Sequence, residues 1–147
     1  MPLSLTPRRL FESYREVTPE ILRRSGVTLL LSDLDYTLAP KSCRRPDQDL
    51  RDWSAGMQAA GIEVMIVSNN RSGPRVEEFC GDLGIGYQGH AGKPSTRGLR
   101  AAMERAGASP DHTAMLGDKL LTDMLAANRA GVLAPMVEPL GGPVPLW

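Results

Sequence analysis

The 147-residue chain has only two cysteines, Cys43 and Cys80, too few for a disulfide framework or a cysteine-built zinc site. It has no excess of either charge, since 17 Lys+Arg balance 17 Asp+Glu. Bulk attraction to nucleic acid is therefore not expected, although a local basic patch remains open. Aromatic residues are scarce at 5 %. No apolar run approaches the roughly 20 residues that cross a bilayer. The opening MPLSLTPRRL lacks an apolar signal region and a small-residue cleavage site, and Glu12, Glu16 and Glu20 argue against an acid-poor transit peptide. These absences predict a soluble, cytoplasmic, single domain over residues 1–147. The hydrophobic content of 41 %, with 23 % charged, is that of a chain with a packed core.

Glycine and proline, in contrast, are frequent, at 15 and 12 residues, and their positions punctuate the chain. Four segments with apolar residues at helical spacing each stop before a glycine: Gly61, Gly84, Gly107 and Gly131. Glycine there can close the last turn in the left-handed conformation. Asp47, Ser72 and Ser95 stand where N-caps are expected, with Pro74 near a first turn. Between the helices lie apolar runs at 27–31, 62–67, 85–87, 113–116 and 132–137, the last containing Pro135. Near-continuous apolar strands alternating with helices predict a three-layer, doubly wound α/β fold with a mostly parallel five-stranded sheet. Residues 1–26 read as a helical lead-in with start signals at Thr6-Pro7 and Thr18-Pro19, and 139–147 as a Pro/Gly-rich tail.

Ligands of open parallel sheets bind outside the carboxyl ends of the strands. There the first strand delivers Ser32-Asp33-Leu34-Asp35-Tyr36-Thr37, and the second Ser68-Asn69-Asn70. The loop after the third carries His90 and Lys93, and the fourth leads to Gly117-Asp118 and Thr122-Asp123. Any one of these acids alone reads as a helix cap, and Lys93 alone as a solvated side chain. Four carboxylates at one edge repel one another unless a cation shares the site, and all-oxygen ligands suit Mg²⁺. Cys80 falls on an apolar helix face and reads as core. Cys43 reads as an inert loop thiol, His90 as solvated, and His112 as leading into the fourth strand.

The ordered set DxDxT, Ser68, Lys93 in GKP, and GDxxxTD resembles the haloacid dehalogenase (HAD) superfamily of phosphotransferases over about residues 27–137. VTPEILRRSGVTLLLSDLDYTL and GDKLLTDMLAANRAG further resemble the YqeG-type phosphatases of the capless IIIA class, which include phosphatidylglycerophosphate phosphatases. Tyr36 departs from the Asn usual in that group. The resemblance implies a Mg²⁺-dependent phosphatase acting through an aspartyl-phosphate. Asp33 would be nucleophile and Asp35 general acid/base. Thr37, Ser68, Asn69 and Lys93 would hold substrate phosphate. Asp33, Asp35, Asp118 and Asp123 would serve the metal.

The 38–61 and 71–92 intervals are each used up by regular elements, so no cap domain is expected. An open site suits a phosphate on something large, such as a phospholipid at the inner face of a membrane. The loop Lys41-Ser42-Cys43-Arg44-Arg45 is either a contact for a second anionic group or a solvated basic connection. The alternative is a non-catalytic phospho-Asp signalling or assembly module on the same fold. A receiver of that kind carries its phospho-Asp on the third strand, where this sequence has no acid.

Overall fold

A computed structural model describes residues 10–34, 37–38, 45–67, 73–88, 97–117, 131–132 and 136–137. The strands are β1 (Leu10–Phe11), β2 (Leu29–Ser32), β3 (Glu63–Val67), β4 (Gly86–Gln88), β5 (Thr113–Leu116) and β6 (Met136–Val137). The helices are α1 (Pro19–Arg24), α2 (Gln48–Ala59), α3 (Gly73–Leu83) and α4 (Arg97–Ala106), with short 3₁₀ turns at Tyr14–Glu16 and Pro110–His112.

Four strands form one parallel sheet in the order β4-β3-β2-β5. Ser32 at the end of β2 is in register with Ile66 of β3 and Leu116 of β5. Alternation along the strands divides the core between two faces. Leu30, Val64, Ile66, Ala114 and Leu116 pack with Leu50 and Met57 of α2 and with Val76, Phe79 and Leu83 of α3. Leu29, Leu31, Met65, Val67 and Met115 pack instead with Leu99, Ala102 and Met103 of α4. Every residue of β2 and β5 is buried, as strands covered on both faces require.

The helix boundaries follow local chemistry. Thr18 caps α1 by accepting from Ile21 N–H, with Pro19 in the first turn. Asp47 caps α2, its Oδ1 accepting from Leu50 N–H at 2.8 Å. Gly61, Gly84, Gly107 and Gly131 all have positive φ, between 67° and 79°, where a side chain would strain the backbone. The expected caps Ser72 and Ser95 lie outside the described residues.

The lead-in differs from the sequence-based expectation. Leu10–Phe11 is a strand rather than helix, and it pairs in parallel with Met136–Val137. That pairing is also the one described for the expected fifth strand. A two-residue strand has almost no local signature, because its partner lies at the other end of the sequence. The rest of the lead-in folds onto α2. Tyr14 meets Trp53 edge-to-face at 5.3 Å, and Trp53 Nε1 donates to the Val17 carbonyl at 2.9 Å. Arg15 lies 4.9 Å over the Tyr14 ring and 3.3 Å from Asp49.

Candidate active site

β2 and β5 are neighbours in the sheet and end level with each other. The ladder continues one residue further, with Asp33 N–H donating to the Leu116 carbonyl at 3.1 Å. Asp33 is thus held beside the end of β5, where buried Gly117 begins the GD pair. Its side chain is half-buried, at the boundary between the packed sheet and the carboxyl edge.

Behind it, the fully buried Ser32 Oγ donates to the Asp33 carbonyl at 2.8 Å. Ser32 closes the apolar run of β2, and the sequence reading gave it no role of its own. A hydroxyl at a fully buried position requires a partner, and here the partner is the backbone of Asp33.

Beyond Asp33, two backbone bonds join Leu34 to Thr37 and Leu38. Leu38 N–H donates to Leu34 O at 3.0 Å and Thr37 N–H to the same carbonyl at 3.3 Å. Leu34 and Leu38 are buried in the α2/α3 face of the core and anchor this turn. Thr37 is fully buried, yet its Oγ1 has no hydrogen-bond partner among the described residues. An unpaired buried hydroxyl costs about 1–3 kcal/mol, so it is a group with hydrogen-bonding capacity in reserve.

Asp33 and Thr37 are therefore the two expected site residues whose surroundings are described. Asp35, Ser68, Asn69, Lys93, Asp118 and Asp123 lie outside the described residues, as do Cys43 and His90. The strand ends that precede several of them are described: Val67 closes β3, Gln88 closes β4 and Gly117 follows β5. In a parallel sheet these ends lie on one edge, together with Asp33.

Arg45, from the basic loop, is exposed, with Nη2 3.9 Å from Glu78 of α3. Cys80 is buried in the core, as its helix position predicted, and burial pushes its thiol up to about 12. His112 occupies the turn leading into β5, with Nδ1 2.8 Å from the Gly26 carbonyl.

Comparison with known proteins matches residues 90–138 to the HAD-hydrolase-like family model. Over 134 residues the chain is 33 % identical to the probable phosphatase YqeG of Bacillus subtilis, covering 91 % of this chain and 77 % of that one. It is 28 % identical over 134 residues to the chloroplastic phosphatidylglycerophosphate phosphatase 1 of Chlamydomonas reinhardtii, covering 86 % of this chain but only 50 % of the relative. Among solved structures, the 3-deoxy-D-manno-octulosonate 8-phosphate phosphatase of Moraxella catarrhalis, in complex with magnesium and phosphate ions, superposes with a TM-score of 0.59. That match has 21 % identity and covers 83 % of this chain and 75 % of the other, a likeness of fold. With the parallel sheet, Asp33 at the end of β2 and this extent of identity to YqeG, the chain belongs to the HAD-like hydrolases, in the group of YqeG-type phosphatases.

Proposed function

We propose that this phosphatase hydrolyses a phosphate monoester through an aspartyl-phosphate on Asp33, with Mg²⁺ as cofactor. The observation that carries the reading is the placement of Asp33, half-buried at the carboxyl end of β2 and tied to Leu116 next to Gly117. Asp118 follows Gly117 directly in the sequence.

The donor chemistry fits a magnesium ion. Asp33 and Asp118 offer carboxylate oxygens and Asp35 its backbone carbonyl, with Asp123 in support; all are hard oxygen ligands. When bound, the cation neutralises the charge of nucleophile and phosphate that must approach each other.

The residues then have separable tasks. An Asp33 carboxylate oxygen attacks phosphorus, and the bond to the leaving oxygen breaks. Asp35 gives its proton to that oxygen and recovers one from the water that hydrolyses the acyl phosphate, which frees Asp33 and inorganic phosphate. Ser68, the Asn69 backbone N–H and Lys93 hold phosphate oxygens. The Thr37 hydroxyl, buried without a partner among the described residues, has a donor to contribute to the same group.

The intervals that would carry a cap contain α2 and α3, each followed directly by the next strand. An open edge favours a phosphate carried on a large or surface-bound molecule, and phosphatidylglycerophosphate is the first candidate. β4 presents Gly86, Tyr87 and Gln88, which supplies no acid for receiver-type signalling.

The test is phosphate release from phosphatidylglycerophosphate, nucleotides and sugar phosphates, with Mg²⁺ and with chelator. Asp33→Asn should lose turnover while unfolding at or slightly above the wild-type temperature, because a negative charge leaves a crowded cluster. Wild-type release by Asp33→Asn would remove the nucleophile assignment, and release unaffected by chelator would remove the cation.

A further inference from the structure

The balanced net charge conceals an uneven distribution among the described helices. On one face, α2 and its cap carry Asp47, Asp49 and Asp52 against Arg51. α3, on that same face, carries Glu77, Glu78 and Asp82 against Arg75. On the other face, α4 carries Arg97, Arg100 and Arg105 against Glu104, all four exposed.

Because α4 links two parallel strands, its N-terminus lies toward the carboxyl edge, where Asp33 stands. The positive end of a helix dipole favours acids, and α1 and α2 have Glu20 and Asp49 in their first turns. α3 and α4 have no acid there; α3 carries Arg75 in its first turn, and α4 opens with Arg97, with Arg100 one turn on. Two cations at that end of α4 repel the dipole, where α3 has the single Arg75.

A second feature adjoins Arg100 and runs toward the C-terminal end of α4. A cavity of about 280 Å³ lies along α4 and the turn after it, lined by Arg100, Met103, Glu104, Gly107, Ala108 and Pro110. Its walls are mainly apolar, with Arg100 and Glu104 at the rim. Cations beside an apolar groove complement an amphiphile with an anionic head. A lipid surface meets both requirements, whereas nucleic acid would use the charge and leave the groove idle.

We propose that the α4 face docks this protein on an anionic bilayer, with the acidic α2/α3 face turned to water. This inference deepens the lipid-phosphate reading, since it names how the active edge would meet a headgroup. Its test, however, does not depend on turnover. Arg97→Gln/Arg100→Gln is compared with wild type in sedimentation with vesicles of phosphatidylglycerol in phosphatidylcholine. Arg23→Gln, at an exposed position of α1, which packs on the opposite face, is the control, and thermal unfolding checks each fold.

At about 1 kcal/mol per arginine near such a surface, the partition coefficient should fall roughly 25-fold for the double variant and stay unchanged for the control. Wild-type binding should weaken as salt is raised. Hydrolysis of a soluble aryl phosphate should be equal in all three. Ala108→Asp, which places a carboxylate in the groove, should also reduce binding. Binding indifferent to phosphatidylglycerol content, equal loss in Arg23→Gln, or capture of an RNA oligonucleotide without vesicle binding would each overturn the proposal. Vesicle binding by Asp33→Asn, with no lipid phosphate released by wild type, would retain the surface and refute the lipid substrate.

Discussion

Replacing Ser32 by Ala removes one oxygen from a fully buried site and almost nothing else. The lost bond, Ser32 Oγ to the Asp33 carbonyl at 2.8 Å, contributes about 0.5–1.5 kcal/mol net. The alanine methyl introduces no clash and leaves only a small void. The expected loss of stability is therefore about 1–2 kcal/mol, or a fall in Tm of roughly 2–8 °C for a chain of this size. Function should suffer separately, because the bond orients the backbone of the proposed nucleophile. With Asp33 N–H still held by Leu116 O, the carboxylate drifts rather than leaves. A misplacement of that kind should lower kcat about tenfold and change KM little. Ser32→Thr separates the two effects. It keeps the oxygen but forces a methyl into packed space, at a cost of about 1–3 kcal/mol. It should lose stability yet retain most of kcat at a temperature where it is folded. Denaturant unfolding and steady-state kinetics on an aryl phosphate measure both. An alanine variant with wild-type kcat would refute the positioning argument, whatever its stability.

Asp35→Asn should slow alkyl phosphates far more than an activated aryl phosphate, whose leaving group needs little protonation; equal losses would remove its acid role. Tyr14→Phe deletes a buried hydroxyl that has no partner among the described residues, so urea unfolding should show stability unchanged or raised by up to about 1 kcal/mol. Burial raises Tyr14 from 10.0 and Cys80 from 9.0, each to about 12. Above the unfolded values the unfolded chain binds fewer protons than the folded one, so their contribution is full below about pH 9 and lost as pH climbs toward 12. Unfolding midpoints from pH 8 to 11 should show that decline, and Tyr14→Phe should flatten its upper part. Neutralising Lys41, Arg44 and Arg45 together should raise KM for a diphosphorylated substrate, most at low salt, and leave a small aryl phosphate unaffected. Because Arg45 lies 3.9 Å from Glu78, Glu78→Gln should shift that KM the opposite way.

Residues close in sequence declared themselves without a structure. The strands β2, β3 and β5 were legible as apolar runs, because burial on both faces removes the need for alternation. Their helices were legible from caps and glycines: Asp47 does bond Leu50 N–H, and Gly84 does adopt positive φ. Asp33 was placed at the end of β2 by the same local logic, and its part in DxDxT pointed to the family. What depended on distant partners was not legible. Leu10–Phe11 becomes a strand only because Met136–Val137 pairs with it, and nothing near residue 10 encodes that. Ser32 looks like an ordinary strand residue until burial forces its hydroxyl onto the Asp33 carbonyl. Thr37 stands in the motif, but that its hydroxyl is buried without a partner among the described residues is a fact of packing. The charge separation between α4 and the α2/α3 pair is likewise invisible to a net charge of +0. Local chemistry sets caps, turns and strands, whereas pairing, burial and the facing of charges arise only when distant segments meet.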